Sequence, residues 1–401
     1  MAKFLTLDDI DPKGKTVLLR ADLNVPVKDG VAGDLTRIER TAPTILELVG
    51  KGARVVAMSH LGRPKGRDPA LSLKPVAAEL SRALGGRRVA FAADCIGPEA
   101  RDAVAALPAG GVALLENLRF HPEEEANDPG FARQLAALGD LYVNDAFAAA
   151  HRAHASTEAI AHLMPAVAGR LMQAELEALA AALETPQRPV MAIVGGAKIA
   201  TKLDLLDFLL GKVDVLVIGG AMANTLLLAQ GIAVGASLVE HDMTETARRL
   251  VAHARDTGKT LMLPVDAVVA AQLAAGVATQ IVAIDRVPED RMILDIGPRS
   301  VTLIGEALGR CRTLVWNGPV GAFETKPFDE GTTAIARRAA ELTRAGTLKS
   351  VAGGGDTVAA LAAAGVSDDF SYVSTAGGAF LEWLEGRELP GVAALVQAAR
   401  R

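Results

Sequence analysis

Short runs of aliphatic and β-branched residues recur along the chain, each ending in a polar or glycine-rich turn and giving way to a stretch of helical periodicity. In the first half these runs are "TVLLRADLNVP", "RVVAMSHLGRP", "GVALLENLRFH" and "LYVNDAFAAAH". In the second they are "PVMAIVGGAK", "DVLVIGGAMAN", "TLVWNGPVGAF", "KSVAGGGDT" and "YVSTAGGAF". Strands alternating with helices argue for parallel sheets covered on both faces, the doubly wound α/β class. Helix punctuation agrees: Asp128 and Pro129 stand as N-cap and first helical residue before "GFARQLAAL", and Gly139 sits where a C′ glycine is expected. Between the halves, Leu171, Ala174, Leu176, Leu179, Ala180 and Leu183 approximate one apolar stripe, and Pro186 with Pro189 marks its exit. This predicts a stiff interdomain helix. The closing "LPGVAALVQAARR" is too short to fold alone and is expected to dock on an existing domain.

Length sharpens this picture, because 401 residues exceed the size at which one core keeps growing. Two domains of nearly equal weight are expected. Half the residues are apolar, enough for both cores. Cys95 and Cys311 are the only cysteines and lack CxxC spacing, which argues against a disulfide framework or a structural zinc site and fits a reducing cytoplasm. The first residues, "MAKFLTLDDIDPKGK", lack the apolar core of a signal peptide, and no uninterrupted apolar stretch reaches about 18 residues. A cytoplasmic protein is expected. Net charge of −5 and 3% aromatic residues give no reason to expect a nucleic-acid or membrane surface, so any anion must meet a local basic cluster.

The candidate chemistry lies at the strand ends, where open parallel sheets bind ligands. In the first half those ends carry Asp22, Asn24, His60, Arg63, Arg119, His151 and Arg152, suited to a small multiply charged anion. Arginine offers a planar fork to phosphate or carboxylate, whereas a metal site at "AHRAHAST" lacks carboxylate or cysteine partners nearby. Asp22 fits an anion site only if it receives a substrate hydroxyl or orients an arginine. In the second half the ends carry glycine clusters with Lys198, Lys202, Asn317, Asp356 and Thr357, suited to a ligand that needs close backbone approach.

The loop "VGGAKIATKLDLL" matches neither a Walker A loop nor a dinucleotide fingerprint. It predicts a strand, two glycines and a helix whose first turns carry Lys198 and Lys202 at i and i+4, on one face. Such a pair meets a polyphosphate at a helix N-terminus, or it is an ordinary solvated face. In "GGGDT" the glycines let backbone N–H groups converge on phosphate, and Asp356 offers the hard oxygen that Mg²⁺ prefers; alternatively the stretch is a tight turn with Asp356 as N-cap.

These residues resemble the phosphoglycerate kinase family. The matching motifs are "RADLNVP", "TRIERTAPTI", "MSHLGRP", "LLENLRFHPEEE", "NDAFAAAHRAHAST", "GGAKIATKLDLL", "LPVD", "WNGPVGAFE", "GGGDT" and "STAGGAFLEWLEG", in the family's order and over essentially the whole chain. The resemblance implies reversible phosphoryl transfer between 1,3-bisphosphoglycerate and Mg-ADP, giving 3-phosphoglycerate and Mg-ATP. It implies two doubly wound parallel-sheet domains joined by an interdomain helix and hinge. Residues 1–168 would bind phosphoglycerate, 169–185 would form the helix, 186–385 would bind nucleotide, and 386–401 would return to the N-terminal domain. By resemblance, Asp22, Asn24, Arg37, His60, Arg63, Arg119 and Arg152 hold the phosphoglycerate. Lys198, Lys202, Asn317, Glu324 and the loop of Gly354, Gly355, Asp356 and Thr357 serve the nucleotide, with Asp356 taking the Mg²⁺. Arg37 and Lys198 stand at the transferring phosphoryl group. Partners are then phosphoglycerate and ADP or ATP alone, and a monomer is the default.

Ala149, Ala150, Ala221 and Ala376 depart from the family pattern, where glycines or a threonine are usual, and modest changes in nucleotide affinity or closure are expected. The rival from another class is a catalytically weak paralogue that senses nucleotide and phosphoglycerate. A nicotinamide-dependent dehydrogenase would share the sheet architecture, but its glycine fingerprint is missing here.

Overall fold

The structure is a computed structural model describing residues 3–28 and 30–401. The chain divides into two compact units, residues 1–176 with 388–401, and residues 177–387.

The first unit contains β1 (Thr16–Arg20), a short antiparallel pair of β2 (Val27–Lys28) and β3 (Val31–Ala32), then β4 (Arg54–Met58), β5 (Val89–Phe91), β6 (Val112–Leu114), β7 (Leu141–Asn144) and β8 (Ala166–Ala168). Six of them form one parallel sheet in the order β5-β6-β4-β1-β7-β8. Each central strand is a continuous buried run, because helices cover both faces. One face packs Val17, Leu19, Val55 and Ala57 onto Ile38, Ile45 and Leu48 of the helix Thr36–Gly50. The helix Pro390–Ala398 belongs to this unit: Gly391 N–H donates to the Ala150 carbonyl at 2.9 Å, and Arg401 donates to the His162 carbonyl at 2.6 Å.

The helix Arg170–Leu183 begins in the first unit. Asp145, just past β7, accepts from the N–H groups of Leu171 at 2.8 Å and Met172 at 3.2 Å, satisfying donors that the first helical turn leaves free. Burial pushes the Asp145 carboxyl up to about 6. Gly169 makes this cap fit, since a Cβ there would fall 2.3 Å from Asp145 Oδ1. Arg170 then forks onto both Asp8 and Glu47, at 2.6 Å to each, and its hydrogen bonds hold both carboxyls below their usual range.

The second unit contains β9 (Val190–Val194), β10 (Val215–Ile218), β11 (Thr260–Met262), β12 (Asp266–Ala270), β13 (Gln280–Ala283), β14 (Met292–Ile296), β15 (Thr313–Asn317), β16 (Lys349–Gly353) and β17 (Tyr372–Ser374). Its parallel sheet runs β11-β10-β9-β15-β16-β17, around a core centred on the fully buried Trp316. The strands β13-β12-β14 form a separate antiparallel sheet with a bulge between Val268 and Val269, an element the alternating strand–helix pattern did not announce.

Two expectations about helices need correcting or refining. Asp128 does cap its helix, accepting from Phe131 N–H at 2.7 Å, with Pro129 first. Gly139, however, lies beyond the C′ position, because the helix ends at Ala136 with Ala137 as its cap. Its φ is not positive. Glycine is needed there for close approach instead, since a Cβ would sit 2.7 Å from Leu18 Cγ of β1.

Candidate functional site

Because β1, β4, β6 and β7 are neighbours running in parallel, their C-terminal ends open on one edge of the first sheet. Residues far apart in sequence therefore meet. Asp22, just beyond β1, pairs with Arg37 at 2.6 Å, which settles its awkward charge: it orients an arginine. Asn24 Oδ1 accepts from Gly62 N–H at 3.0 Å, and Arg119 donates to the Gly62 carbonyl at 2.7 Å, so one glycine joins the turns after β1, β4 and β6. Arg119 also meets Glu125 at 3.2 Å. Arg152 Nε donates to His151 Nε2 at 3.1 Å. Arg63 is exposed and makes no ion pair among the described residues.

Of these cations, Arg119 and Arg152 gather with Arg20 around two histidines. Burial and then Arg20, Arg119 and Arg152 hold His60 well below the ordinary histidine range. Burial, followed by Arg119, Arg20 and Arg152, lowers His154 to about 4. A chain of net charge −5 thus concentrates arginine at one sheet edge.

Three residues beneath this cluster were not among the sequence candidates. Arg20, 1% exposed, donates to Ser156 Oγ at 2.8 Å and to the Ala21 carbonyl at 2.6 Å. Ser156 in turn donates through its hydroxyl and its N–H to the fully buried Glu124, at 2.5 and 2.9 Å. An arginine closing the apolar run "TVLLR" is the signal available in sequence, because a buried charge must be paired. Nothing local distinguishes Glu124 within "HPEEE".

In the second unit β9, β15 and β16 are adjacent and parallel, so their following loops converge likewise. Here the lysine expectation is corrected. Lys198 is not on a helix; it lies in the exposed loop before a short turn, Ala200–Lys202, and the helix Leu203–Leu210 starts after Lys202. The reason is packing after β9. Gly195 lies so close to the Pro319 carbonyl that a Cβ would sit 1.8 Å from its oxygen, and Gly196 takes φ +146°, a conformation that residues with side chains rarely adopt, so the chain bends after the strand before any helix begins. Lys198 and Lys202 are therefore not stacked one turn apart.

Lys202 donates to Asn317 Oδ1, and burial lowers its ammonium below the usual lysine range against the pull of Glu385 and Asp356. Asn317 Nδ2 donates to the Gly353 carbonyl at 2.8 Å, and Gly318 N–H donates to Thr357 Oγ1 at 2.7 Å. These bonds stitch the ends of β15 and β16 together. Gly354 takes φ +97° at the cap position of the helix Gly355–Ala364, and a Cβ on it would fall 2.6 Å from Asn317 Nδ2. Asp356 is consequently in the first helical turn and is not the N-cap. Its carboxylate is exposed and makes no hydrogen bond or ion pair among the described residues. A free hard-oxygen donor at a helix N-terminus suits Mg²⁺ that retains water and phosphate ligands.

Beside Asp356 opens a mainly apolar cavity of about 360 Å³, whose walls include Gly196, Gly220, Ala221, Leu294, Val320 and Glu324. Gly219 and Gly220 admit close approach there: Cβ atoms would fall 2.6 Å from Val320 Cβ and from the Gly196 carbonyl oxygen. Asp295 also lines the cavity, with its carboxyl pushed up to about 7 by burial while accepting from Gly331 and Ile296 N–H at 2.8 Å each. Nothing in the sequence marked it. Of the departing alanines, Ala221 faces this cavity, Ala149 and Ala150 are buried in the first unit, and Ala376 is buried with its N–H on Ser374 Oγ at 3.2 Å.

Comparison with known proteins covers nearly the whole chain. The family profile described as "PGK: Phosphoglycerate kinase" matches residues 7–387. A phosphoglycerate kinase of Methylorubrum extorquens is 62% identical over 397 residues, covering 98% of this chain and 99% of the relative. One from Rhizobium meliloti is 61% identical over 396 residues, with 98% and 99% covered. Among solved structures, phosphoglycerate kinase from Coxiella burnetii superposes with a TM-score of 0.92 at 42% identity over 98% of this chain and 99% of that one. That from Pyrococcus horikoshii gives 0.82 at 31%, over 99% of each. With sequence profile, relatives and both folded units in agreement, the chain belongs to the phosphoglycerate kinase family.

Proposed function

We propose that the protein catalyses reversible phosphoryl transfer between 1,3-bisphosphoglycerate and Mg-ADP, yielding 3-phosphoglycerate and Mg-ATP. The observation that carries this reading is the division of labour: an arginine cluster at one sheet edge of the first unit, and in the second a glycine-lined apolar cavity beside Asp356, with Lys202 held at the end of β15 by Asn317. Asp22, Asn24, Arg37, His60, Arg63, Arg119 and Arg152 bind the phosphoglycerate. Lys198, Lys202, Asn317, Glu324, Gly354, Gly355 and Thr357 serve the nucleotide, the cavity receiving its base and ribose. Asp356 holds the Mg²⁺, which when bound neutralises phosphate charge and aligns the terminal phosphates.

The residues need not include a general base. In the ATP-consuming direction the attacking group is a carboxylate, ionised at neutral pH, so no proton must be removed. The work is alignment and charge stabilisation. A loose phosphoryl transition state spreads negative charge over three equatorial oxygens, and Arg37, oriented by Asp22, together with the exposed Lys198 supplies donors for it. With the ligands on different units, closure joins them and excludes the water that would hydrolyse the acyl phosphate. The helix Arg170–Leu183 and the "STAGG" segment are the proposed hinge. A cytoplasmic location fits, because multiply charged phosphates do not cross a bilayer unaided, and a monomer is the default assembly. Among the described residues no helix is long and apolar enough to cross a membrane.

No observation favours the sensor alternative, since the departing alanines leave every proposed charged residue in place. Calorimetric titration tests the division of labour. Arg152→Ala should weaken 3-phosphoglycerate binding while leaving Mg-ADP binding unchanged, and Lys202→Ala should do the reverse. Loss of both affinities in either variant would defeat this assignment.

A further inference from the structure

Beneath the arginine cluster, the Arg20 guanidinium is used on every side: Nε on Ser156, one terminal nitrogen on the Ala21 carbonyl, and the other 3.0 Å from His60 Nδ1. Arginine has no acceptor and does not lose its proton in proteins. Across that contact Arg20 donates, and His60 Nδ1 can only accept. The imidazole hydrogen must then sit on Nε2, which has no protein partner among the described residues. Arg20 itself cannot swing away. It is 1% exposed and tied through Ser156 to Glu124, which has no exposure and which Tyr142 helps enclose by donating to the Ser156 carbonyl at 2.7 Å.

We propose that Arg20 is a positioning residue that locks His60 as the neutral Nε2–H tautomer, so that His60 meets phosphoglycerate as a directional hydrogen-bond donor and never as a titrating cation. This rests on the reading of His60 as a phosphoglycerate contact. Protonation would require a hydrogen on Nδ1, pointing straight at a guanidinium. The other groups facing the ring oppose it too: Arg119 from the turn after β6, and Arg152 and His154 from the segment after β7. The cluster's positive charge then comes entirely from arginine and is independent of pH, while the histidine contributes direction. Glu124 and Ser156 are the foundation of the same device, since they hold Arg20 in register with β4.

A tautomer is assigned by spectroscopy, not by heavy-atom positions. The test is ¹⁵N NMR of histidine-labelled full-length protein, titrated from about pH 8 to about pH 5 across the ordinary histidine range. His60 should show an unprotonated, pyridine-type Nδ1 and a protonated Nε2, with neither resonance moving over that range. Adding 3-phosphoglycerate should shift Nε2 and leave Nδ1 pyridine-type. Arg20→Met should release the ring to titrate within the range and to mix tautomers, and Arg20→Lys, again a donor without an acceptor, should restore one tautomer. A wild-type His60 that carries its hydrogen on Nδ1, or that titrates near its ordinary value, overturns the proposal whether or not the variants fold. An Nε2–H tautomer whose Nε2 is indifferent to 3-phosphoglycerate would uphold the lock and overturn the substrate contact.

Discussion

Lys198 and Arg37 spend little of their charge inside the protein: Lys198 is exposed on its loop, and among the described residues Arg37 pairs with one carboxylate, Asp22. Replacing Arg37 by alanine should lower kcat by about 10²-fold or more with a smaller change in KM, because its donors matter most when charge spreads over the transferring group. Steady-state kinetics in both substrates checks this. His154 makes a different prediction. Its folded value of about 4 lies below the ordinary unfolded value, so the unfolded chain takes up the proton first as pH falls. The stability it contributes is full above about pH 6.5 and drains away toward about pH 4. His154→Gln should therefore flatten the fall of Tm across that window, as differential scanning calorimetry would report. At this scale the proposed ligand-facing residues could be named from the sequence, because arginine, lysine and aspartate stand beside glycine at strand ends. Glu124 and Asp295 could not, because a buried charge announces itself only through partners distant in sequence, as Glu124 does with Ser156 32 residues away, while Arg20 left only the trace of an arginine closing an apolar run.

Elements are where single methyl groups decide the outcome. The Asp145 carboxylate caps the helix Arg170–Leu183 across a gap that only Gly169 leaves open. Gly169→Ala should destabilise the protein by about 1–3 kcal/mol in chemical denaturation, since Asp145 must move and give up its two N–H partners. In the second unit Gly354→Ala combines a left-handed φ of +97° with a Cβ 2.6 Å from Asn317 Nδ2. Mg-ADP affinity should fall about tenfold, roughly 1.4 kcal/mol, in isothermal titration. Nine of the twelve parallel strands among the described residues were readable as short apolar runs punctuated by turns, and the three-residue strands β5, β8 and β11 were not. The β12–β14 sheet was not, because antiparallel strands inserted between βα units interrupt the very alternation that reveals the others. The segment around Lys198 misled for a related reason: "AKIATKLDLL" has helical spacing, and the close contact of Gly195 with Pro319, 124 residues away, delays the helix until Leu203.

At the scale of the molecule, two units of similar size carry the two proposed ligand chemistries. If transfer requires closure, adding 3-phosphoglycerate with a non-hydrolysable Mg-nucleotide should reduce the radius of gyration in small-angle scattering, and either ligand alone should do so less. An unchanged radius with both ligands bound would remove the hinge from the account. The doubly wound class and the presence of two cores followed from length and strand–helix alternation. The placement of residues 388–401 within the first unit depended on a contact no periodicity expresses, Gly391 against Ala150. Charge stabilisation by this chain's own cations is proposed to drive phosphoryl transfer to a carboxylate. Its most direct test is ATP-dependent turnover of 3-phosphoglycerate with Mg²⁺, measured in parallel for the wild type and Lys198→Ala. Robust wild-type turnover should fall about 10²-fold or more in the variant while both ligands still bind. Wild-type protein that binds both ligands and does not turn over, or a variant as active as the wild type, would contradict it.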